Sequence, residues 1–104
     1  MARLIWTESA LQDLENIAEY IALDDPLAAS RYIEKVFDRV ERLEQHPQSG
    51  KRPPELLRTP YREVVVAPCR IFYRTDQSDV YILYVMRSER LLRPYFLGQR
   101  DFTK

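Results

Sequence analysis

The sequence predicts an α+β fold, in which an N-terminal strand and an αα-hairpin pack on an antiparallel β-meander. Two observations support this prediction. Apolar residues recur at helical spacing in two segments of the first half of the chain. Three runs rich in β-branched and aromatic residues follow at residues 61–66, 70–74 and 80–86, separated by short junctions of turn-forming residues. The predicted element order is β-α-α-β-β-β.

The N-terminal strand and the first helix are expected to meet at Thr7. Residues 3–6 form a short apolar run, which most simply pairs with the meander as a further strand. The Thr7 hydroxyl suits the N-cap position, where it accepts a hydrogen bond from a free N–H of the first helical turn. The helix that follows carries apolar residues at helical spacing: Leu11, Leu14, Ile17, Ala18 and Ile21.

The second helix is predicted to follow the first after a very short connection. Asp25 is the expected N-cap and Pro26 the first helical residue, where its missing N–H costs nothing. Helices joined so closely must fold back as an αα-hairpin, and the second is expected to end near His46 and Pro47. Both helices are expected to pack on the apolar face of the meander. The apolar stripe of the second helix consists of Tyr32, Ile33, Val36, Phe37, Val40 and Leu43.

Alternation along the meander predicts one apolar face and one face that mixes arginine with aromatic residues. In the last strand, strict alternation places Val80, Ile82, Tyr84 and Met86 on the same face. In the first strand, Glu63 is expected on the face opposite the arginines. The residues expected to cluster on the mixed face are Arg62, Arg70, Arg74 and Arg87.

Composition limits the classes of function. The 104 residues predict one domain spanning the chain, and no apolar run reaches the 18 residues of a membrane span, so the cytoplasm is the expected compartment. The single Cys69 excludes an internal disulfide, and no metal or cofactor is expected. Sixteen basic and 16 acidic residues give a net charge near zero. This argues against a nucleic-acid partner that is bound through many phosphates. With only two glycines, no phosphate-binding loop is present.

Three motifs occur in a suggestive order after the helical hairpin: HPQSG at residues 46–50, CRIFY at 69–73 and VYILYVMRSER at 80–90. Together they resemble the RelE/ParE superfamily of type II toxins, and the resemblance spans nearly the whole chain. Many relatives end the sheet with Val-Leu-His-Gly-x-Arg. Here the final arginine is Arg90, and Arg87 replaces the histidine.

The resemblance implies a toxin that is neutralised by an antitoxin encoded beside it. RelE-like members cleave mRNA on the ribosome, whereas ParE-like members inhibit DNA gyrase without being nucleases. Cleavage requires a base, a cation for the phosphorane and an acid. By position, the residues that could form such a site are Arg62, Arg70, Arg90 and Tyr95.

The nuclease set is incomplete in this sequence. Val64 occupies the strand position of a second basic residue in RelE-like enzymes, and the only histidine, His46, is at a helix end. We therefore expect a ParE-type gyrase inhibitor rather than an enzyme. A RelE-type mRNA endonuclease and a non-toxic protein-interaction module are the alternatives.

The expected partners are a ParD-like antitoxin and DNA gyrase, without a membrane and without direct sequence-specific binding of nucleic acid. An acidic antitoxin segment would complement the mixed sheet face. The expected antitoxin contacts are Arg62, Arg70, Phe72, Arg74 and Tyr84. The expected contacts to gyrase lie in the tail from residue 87 to residue 102, and comprise Arg87, Arg90, Leu91, Arg93, Tyr95 and Phe96.

This tail combines arginines with large apolar residues, a composition typical of an interface anchor. We expect it to contribute to toxicity more than to the fold. Truncation after Ser88 is accordingly expected to leave a folded domain.

Overall fold

A four-stranded sheet forms the centre of the molecule. The computed structural model describes residues 1–90 and 92–101, with the backbone alone for residues 94–96. In chain order the elements are strand β1 (Arg3–Trp6), helices α1 (Glu8–Ala22) and α2 (Pro26–Glu41), strands β2 (Arg62–Val66), β3 (Cys69–Asp76) and β4 (Asp79–Arg87), and helix α3 (Pro94–Arg100). Single 3₁₀ turns cover Arg42–Glu44 and Pro54–Leu56.

The strand order in the sheet is β1-β4-β3-β2. The predicted meander is confirmed, because β3 is antiparallel to both of its neighbours. The predicted N-terminal strand is also confirmed, and it runs parallel to β4. Strands β3 and β4 extend further than predicted, since the turn between them contains only Gln77 and Ser78.

Local capping interactions start both helices at the predicted residues. The Thr7 hydroxyl accepts a hydrogen bond from the Ala10 N–H at 3.2 Å, and the Asp25 carboxylate accepts one from the Ala28 N–H at 3.1 Å. Pro26 occupies the first turn of α2 as expected. One predicted core residue of α1 is wrong, because Leu11 is exposed while Ala10 is fully buried.

The hairpin buries its apolar stripe on one side of the sheet, which we call the helix face. Buried residues from α1 and α2 and from the following 3₁₀ turn contact side chains from β2, β3 and β4 there. They include Leu14, Val36, Val40, Leu43, Val64, Ile71, Tyr73, Val80, Ile82 and Val85.

A second buried cluster covers the other side of the sheet, which we call the tail face. It combines Leu56 and Tyr61, which precede β2, with sheet residues and with Leu92 and Leu97 from the tail. Leu97 is 0% exposed. The tail, which is expected to contribute to toxicity more than to the fold, thus forms part of a second buried layer. Its contribution to toxicity stays a prediction. The sheet residues of this cluster are Phe72, Leu83 and Met86.

A β-bulge changes which side chains of β4 share a face. Phe72 is opposite Tyr84, but the next residue, Tyr73, is opposite Ile82, so Leu83 is the extra residue. Val80 and Ile82 therefore face the helices, whereas Met86 belongs to the tail face. The prediction that Val80, Ile82, Tyr84 and Met86 share one face is wrong, because strict alternation fails at a bulge.

The register between β2 and β3 corrects the predicted arginine cluster. Arg62 is opposite Tyr73, a residue of the helix face, and Glu63 is opposite Phe72, a residue of the tail face. Directly opposed residues share a face of a sheet. Arg62 is thus separated from Arg70 by the sheet, and Glu63 lies beside Arg70. Both predicted placements are wrong, because pairing register is not visible in one strand.

Tyr73 holds the HPQSG motif against the sheet. Its buried hydroxyl accepts a hydrogen bond from the Gly50 N–H at 2.9 Å and donates one to the Pro47 carbonyl at 2.8 Å. A Cβ atom at Gly50 would lie 2.5 Å from the Tyr73 oxygen and 2.7 Å from the Glu63 carbonyl oxygen. Glycine is required here because the loop packs directly on a buried side chain.

Candidate partner-binding surfaces

Arg70 is held by two carboxylates rather than by solvent. Its Nε and Nη2 donate to Glu63 at 2.8 and 2.9 Å, and its Nη1 and Nη2 donate to Glu55 at 2.9 and 2.8 Å. Hydrogen bonds to Glu63, and then to Glu55, raise the pKa of Arg70, and the bond to Arg70 lowers the pKa of Glu55. The side chain is 13% exposed and stacks over Phe72. Its charge is therefore neutralised within the molecule.

Arg74 connects β3 to the tail. Its Nε lies 2.7 Å from Asp101 Oδ2, and its guanidinium stacks over the Tyr81 ring. The Nε–H is not well directed at the oxygen, so the contact is an ion pair rather than a directed hydrogen bond. Asp101 also accepts a hydrogen bond from the Tyr61 hydroxyl at 3.3 Å. This arginine thus anchors the second layer.

The three remaining expected antitoxin contacts are Arg62, Phe72 and Tyr84, and they do not form one exposed surface. Arg62 donates to the Gly50 carbonyl at 2.9 Å, at the end of the hairpin. Phe72 is 0% exposed and lies against Tyr84, with ring centroids 6.0 Å apart. The expectation of one exposed cluster is therefore wrong, because Phe72 is in the core and Arg62 lies on the other face. The role of these residues in antitoxin binding stays a prediction.

An open groove of about 600 Å³ lies between α1 and the second half of β4. Strand β1 pairs with β4 only as far as Ile82, so the edge of the remaining residues of β4 faces this space. We call it the β4 groove. Its lining includes Asn16 and Tyr20 from α1, Tyr84 from β4, and Arg87, Arg90 and Arg100.

Asp13 organises one wall of the β4 groove. One oxygen of its carboxylate accepts hydrogen bonds from the Val85 N–H at 3.1 Å and from Arg100 Nη1 at 2.6 Å, and the other accepts from Arg100 Nη2 at 2.9 Å. The hydrogen bonds that Arg100 donates to Asp13 raise the pKa of Arg100. Arg100 also donates to the Leu83 carbonyl and stacks over Tyr84. A single carboxylate thus joins α1, the edge of β4 and the tail.

Two of the expected gyrase contacts, Arg87 and Arg90, line this groove. Arg87 stacks over Tyr20 and is paired with Glu89, which raises the pKa of Arg87 and lowers the pKa of Glu89. Arg90 lines the groove, and Arg93 is exposed. Leu91 and the side chains of Tyr95 and Phe96 lie outside the described part of the chain.

Three of the four candidate nuclease residues, Arg62, Arg70 and Arg90, are described with their side chains, and these three do not form one site. Arg62 and Arg70 are on opposite faces of the sheet, and Arg90 lines the β4 groove. No group of three or more acidic, histidine or cysteine side chains able to hold a metal ion occurs within residues 1–90 and 92–101. In the same residues no helix is long and apolar enough to cross a membrane.

Sequence reasoning missed three residues that shape these surfaces. From the sequence, no role is predicted for Asp13 or Glu55, and Glu63 is expected on the face opposite the arginines, whereas Glu63 contacts Arg70. The partner of Asp13 is distant along the chain, since Arg100 follows it by 87 positions. No local pattern marks such a pair, so only the folded chain reveals it.

The described arrangement, an αα-hairpin on one face of a sheet that includes the N-terminal strand, is the fold that the resemblance to the RelE/ParE superfamily implies. Residues 4–92 match the family model described as "ParE toxin of type II toxin-antitoxin system, parDE". The chain therefore belongs to the ParE toxin family of type II toxin-antitoxin systems.

Two relatives are similar over most of their length. A protein of Sinorhizobium fredii named "Putative toxin Y4kP" is 41% identical over 90 residues, which cover 85% of this chain and 90% of that protein. "Toxin RelE2" of Caulobacter vibrioides is 34% identical over 91 residues, which cover 88% of this chain and all of that protein. Both bear toxin names.

Solved structures support the fold. One, titled as the chromosomal ParDE system of P. aeruginosa, superposes with a TM-score of 0.73 at 24% identity, and the match covers 86% of this chain and 98% of that chain. A YoeB/ParE toxin from Agrobacterium tumefaciens gives a TM-score of 0.53 at 23% identity, with 82% and 96% covered. At these identities the likeness concerns the fold alone.

Proposed function

We propose that this chain arrests growth in the cytoplasm by inhibiting DNA gyrase, without being a nuclease, and that a ParD-like antitoxin neutralises it. The family membership supports a toxin with an antitoxin partner. The observation that favours gyrase over mRNA is the state of Arg70. A phosphorane needs a cation that is available to it, and the Arg70 guanidinium is engaged by Glu55 and Glu63.

The β4 groove is the proposed contact surface for the target. It is concave, it borders an unpaired stretch of strand, and Arg87 and Arg90 line it. Aromatic and arginine side chains are enriched among the residues that contribute most to protein interfaces. Arg93, Leu91, Tyr95 and Phe96 are proposed as further contacts to the target.

The test compares two assays of the purified toxin: inhibition of gyrase supercoiling, and ribosome-dependent cleavage of mRNA. We expect inhibition in the first assay and no cleavage in the second. Arg90→Glu should weaken inhibition at least about tenfold, because reversing a charge at an interface costs about 1.4 kcal/mol or more. Arg58→Glu, which makes the same charge change at an exposed site outside the groove, is the matched control.

A ribosome-dependent mRNA endonuclease is the second candidate, favoured by the name of the relative from Caulobacter vibrioides. Codon-specific cleavage with unaffected supercoiling would establish it and reject gyrase inhibition. Expression without an antitoxin separates both candidates from a non-toxic interaction module, which would leave growth unchanged.

A further inference from the structure

The cations of α2 lie on the side of the helix that faces the outer edge of the sheet. Arg31, Lys35 and Arg39 are four residues apart, so they follow one another along the same side of the helix at intervals of about 6 Å. Together with Arg42, which directly follows α2, they line a groove of about 510 Å³ between the helix and residues 65–67. We call these four residues the α2 cation stripe and the space beside them the β2-edge groove.

The charges of the α2 cation stripe are not neutralised within the fold. Among residues 1–90 and 92–101, no carboxylate forms an ion pair with any of the four cations. Glu34 and Asp38 line the same groove, so four cations and two carboxylates leave an excess of two positive charges. Arg62 adds a further cation on the helix face of β2. The stripe thus differs from Arg70 and Arg74, which are paired with buried carboxylates.

The near-zero net charge of the chain conceals a separation of charge between its two long helices. Helix α1 contains four carboxylates and no cation, and it packs against β4. The α2 cation stripe lies beside β2, and β3 separates β2 from β4 in the sheet. A local basic surface attracts anions even when the total charge is zero. The β2-edge groove is therefore a candidate site for an anionic partner.

The side chains of the β2-edge groove favour phosphate groups over a protein segment. Aromatic side chains are enriched among the residues that contribute most to protein interfaces, and the β4 groove has Tyr20 and Tyr84. None of the described residues that line the β2-edge groove is aromatic. A single nucleic-acid strand is held largely by aromatic side chains on which its bases stack. The phosphates of a duplex, in contrast, are bound by arginine and lysine alone.

We propose that the α2 cation stripe contacts the phosphate backbone of duplex DNA, and that this is the DNA on which gyrase acts. The second part rests on the proposed function. The β4 groove lies beside β4 and the stripe lies beside β2, so one toxin molecule contacts the enzyme with the first surface and its DNA with the second. Contacts to a few phosphates read no bases, so this binding is independent of DNA sequence.

The first test measures binding of the purified toxin to a short DNA duplex without gyrase, by fluorescence anisotropy at a series of salt concentrations. Each phosphate contact contributes about −0.9 to the slope of log K against log salt, so the four cations predict a slope of about −3 to −4. Arg31→Gln should reduce the magnitude of this slope by about 0.9, and Arg31→Gln combined with Lys35→Gln by about 1.8. Both side chains are exposed, so melting curves should show that the variants stay folded.

Arg3→Gln is the matched control for the loss of one exposed arginine, because Arg3 lies in β1 at the other edge of the sheet. Its slope should equal that of the wild type. Glu34→Gln removes a carboxylate from the groove and should tighten duplex binding. An unchanged slope in the folded double variant, or no duplex binding by the wild type at low salt, would overturn the inference. So would a loss of antitoxin affinity in the double variant with unchanged duplex binding, since the occupant would then be an acidic protein segment.

Supercoiling assays separate this inference from the proposed function. The double variant should inhibit gyrase roughly three- to tenfold less well than the wild type, the loss expected from two exposed charge contacts. Its binding to gyrase in the absence of DNA should be unchanged. Tighter binding of an RNA duplex, with full inhibition by the double variant, would overturn the assignment to the DNA of gyrase. A wild type that binds duplex DNA through the stripe without inhibiting gyrase would instead reject the proposed function and support the duplex contact.

Discussion

At the scale of single residues, charge alone is a poor guide to an arginine's role in this chain. From the sequence, Arg70 and Arg74 are expected on the mixed face of the meander, where an arginine would be exposed. In the fold they are the partners of Glu63 and Asp101, two buried carboxylates. A buried carboxylate requires such a partner, because removing an unpaired charge from water is costly. These arginines therefore support the tail face.

Gly50 provides a test at the same scale. Gly50→Ala should lower the free energy of unfolding by about 1–3 kcal/mol, because the added methyl group would overlap the Tyr73 hydroxyl and the Glu63 backbone. The measurement is urea denaturation followed by circular dichroism.

Gly98→Ala is the matched control. Among the described residues, and apart from its chain neighbours and the backbone of its own helix, no atom lies within 4 Å of a Cβ at Gly98, which is in α3. Alanine is favoured over glycine in a helix by about 1 kcal/mol, so this variant should be neutral or slightly more stable. Equal stability of the two alanine variants would show that the loop at Gly50 moves to accommodate the methyl group. The contact with Tyr73 would then not determine the position of the loop.

At the scale of elements, the tail behaves as a second layer rather than as an appendage. Helices α1 and α2 cover one side of the sheet, and Leu92 and Leu97 cover the other together with Leu56 and Tyr61. A sheet with two apolar faces needs cover on both. The Asp13–Arg100 and Arg74–Asp101 contacts attach the tail at its end.

Leu97→Ala should therefore destabilise the protein by about 2–5 kcal/mol, the cost of truncating a fully buried leucine. The comparison is Leu57→Ala, since Leu57 is 62% exposed and its removal should change stability by less than about 0.5 kcal/mol. Both are measured by thermal and urea unfolding.

Truncation after Ser88 should give an unfolded or aggregating product, since Phe72 and Met86 lose their cover. A truncated chain as stable as the wild type would show that the second layer is dispensable.

At the scale of the whole molecule, both layers contain buried tyrosines whose pKa is raised. Burial is the main cause that raises the pKa of Tyr32, Tyr61 and Tyr73. The hydroxyls also have fixed partners, such as the Val66 carbonyl for Tyr32 at 2.6 Å. Stability should therefore depend on pH in the alkaline range.

The direction of this pH dependence follows from the linkage between proton binding and folding. An unfolded tyrosine loses its proton near pH 10, whereas the three buried ones keep theirs in the folded state. The unfolded chain then binds fewer protons, so the contribution of these tyrosines to the free energy of unfolding should be constant below about pH 9 and fall as the pH rises above about 10. Urea midpoints measured across this range test the prediction. Tyr61→Phe should make the fall in the free energy of unfolding at alkaline pH shallower. An unchanged fall would show that groups other than Tyr61 cause it.

Much of the architecture was predictable because its signals are local. The N-caps Thr7 and Asp25 act on backbone groups three residues away, and the turn after Asp76 is only two residues long. The stripes of α1 and α2 and the apolar runs of the strands each occupy one short stretch of sequence. Element order, the αα-hairpin and the meander could therefore be read without the structure, as could the resemblance to the toxin superfamily.

The sequence by itself determined the elements and the family of this protein, whereas tertiary structure decided which side chains meet. The bulge at Leu83 reverses the facing of the rest of β4, and it arises from pairing with Phe72 and Tyr73 rather than from any pattern within β4. The pairing of Asp13 with Arg100 joins residues 87 positions apart. Such contacts depend on register and on the packing of distant segments, and a one-residue shift in register exchanges the two faces of a strand.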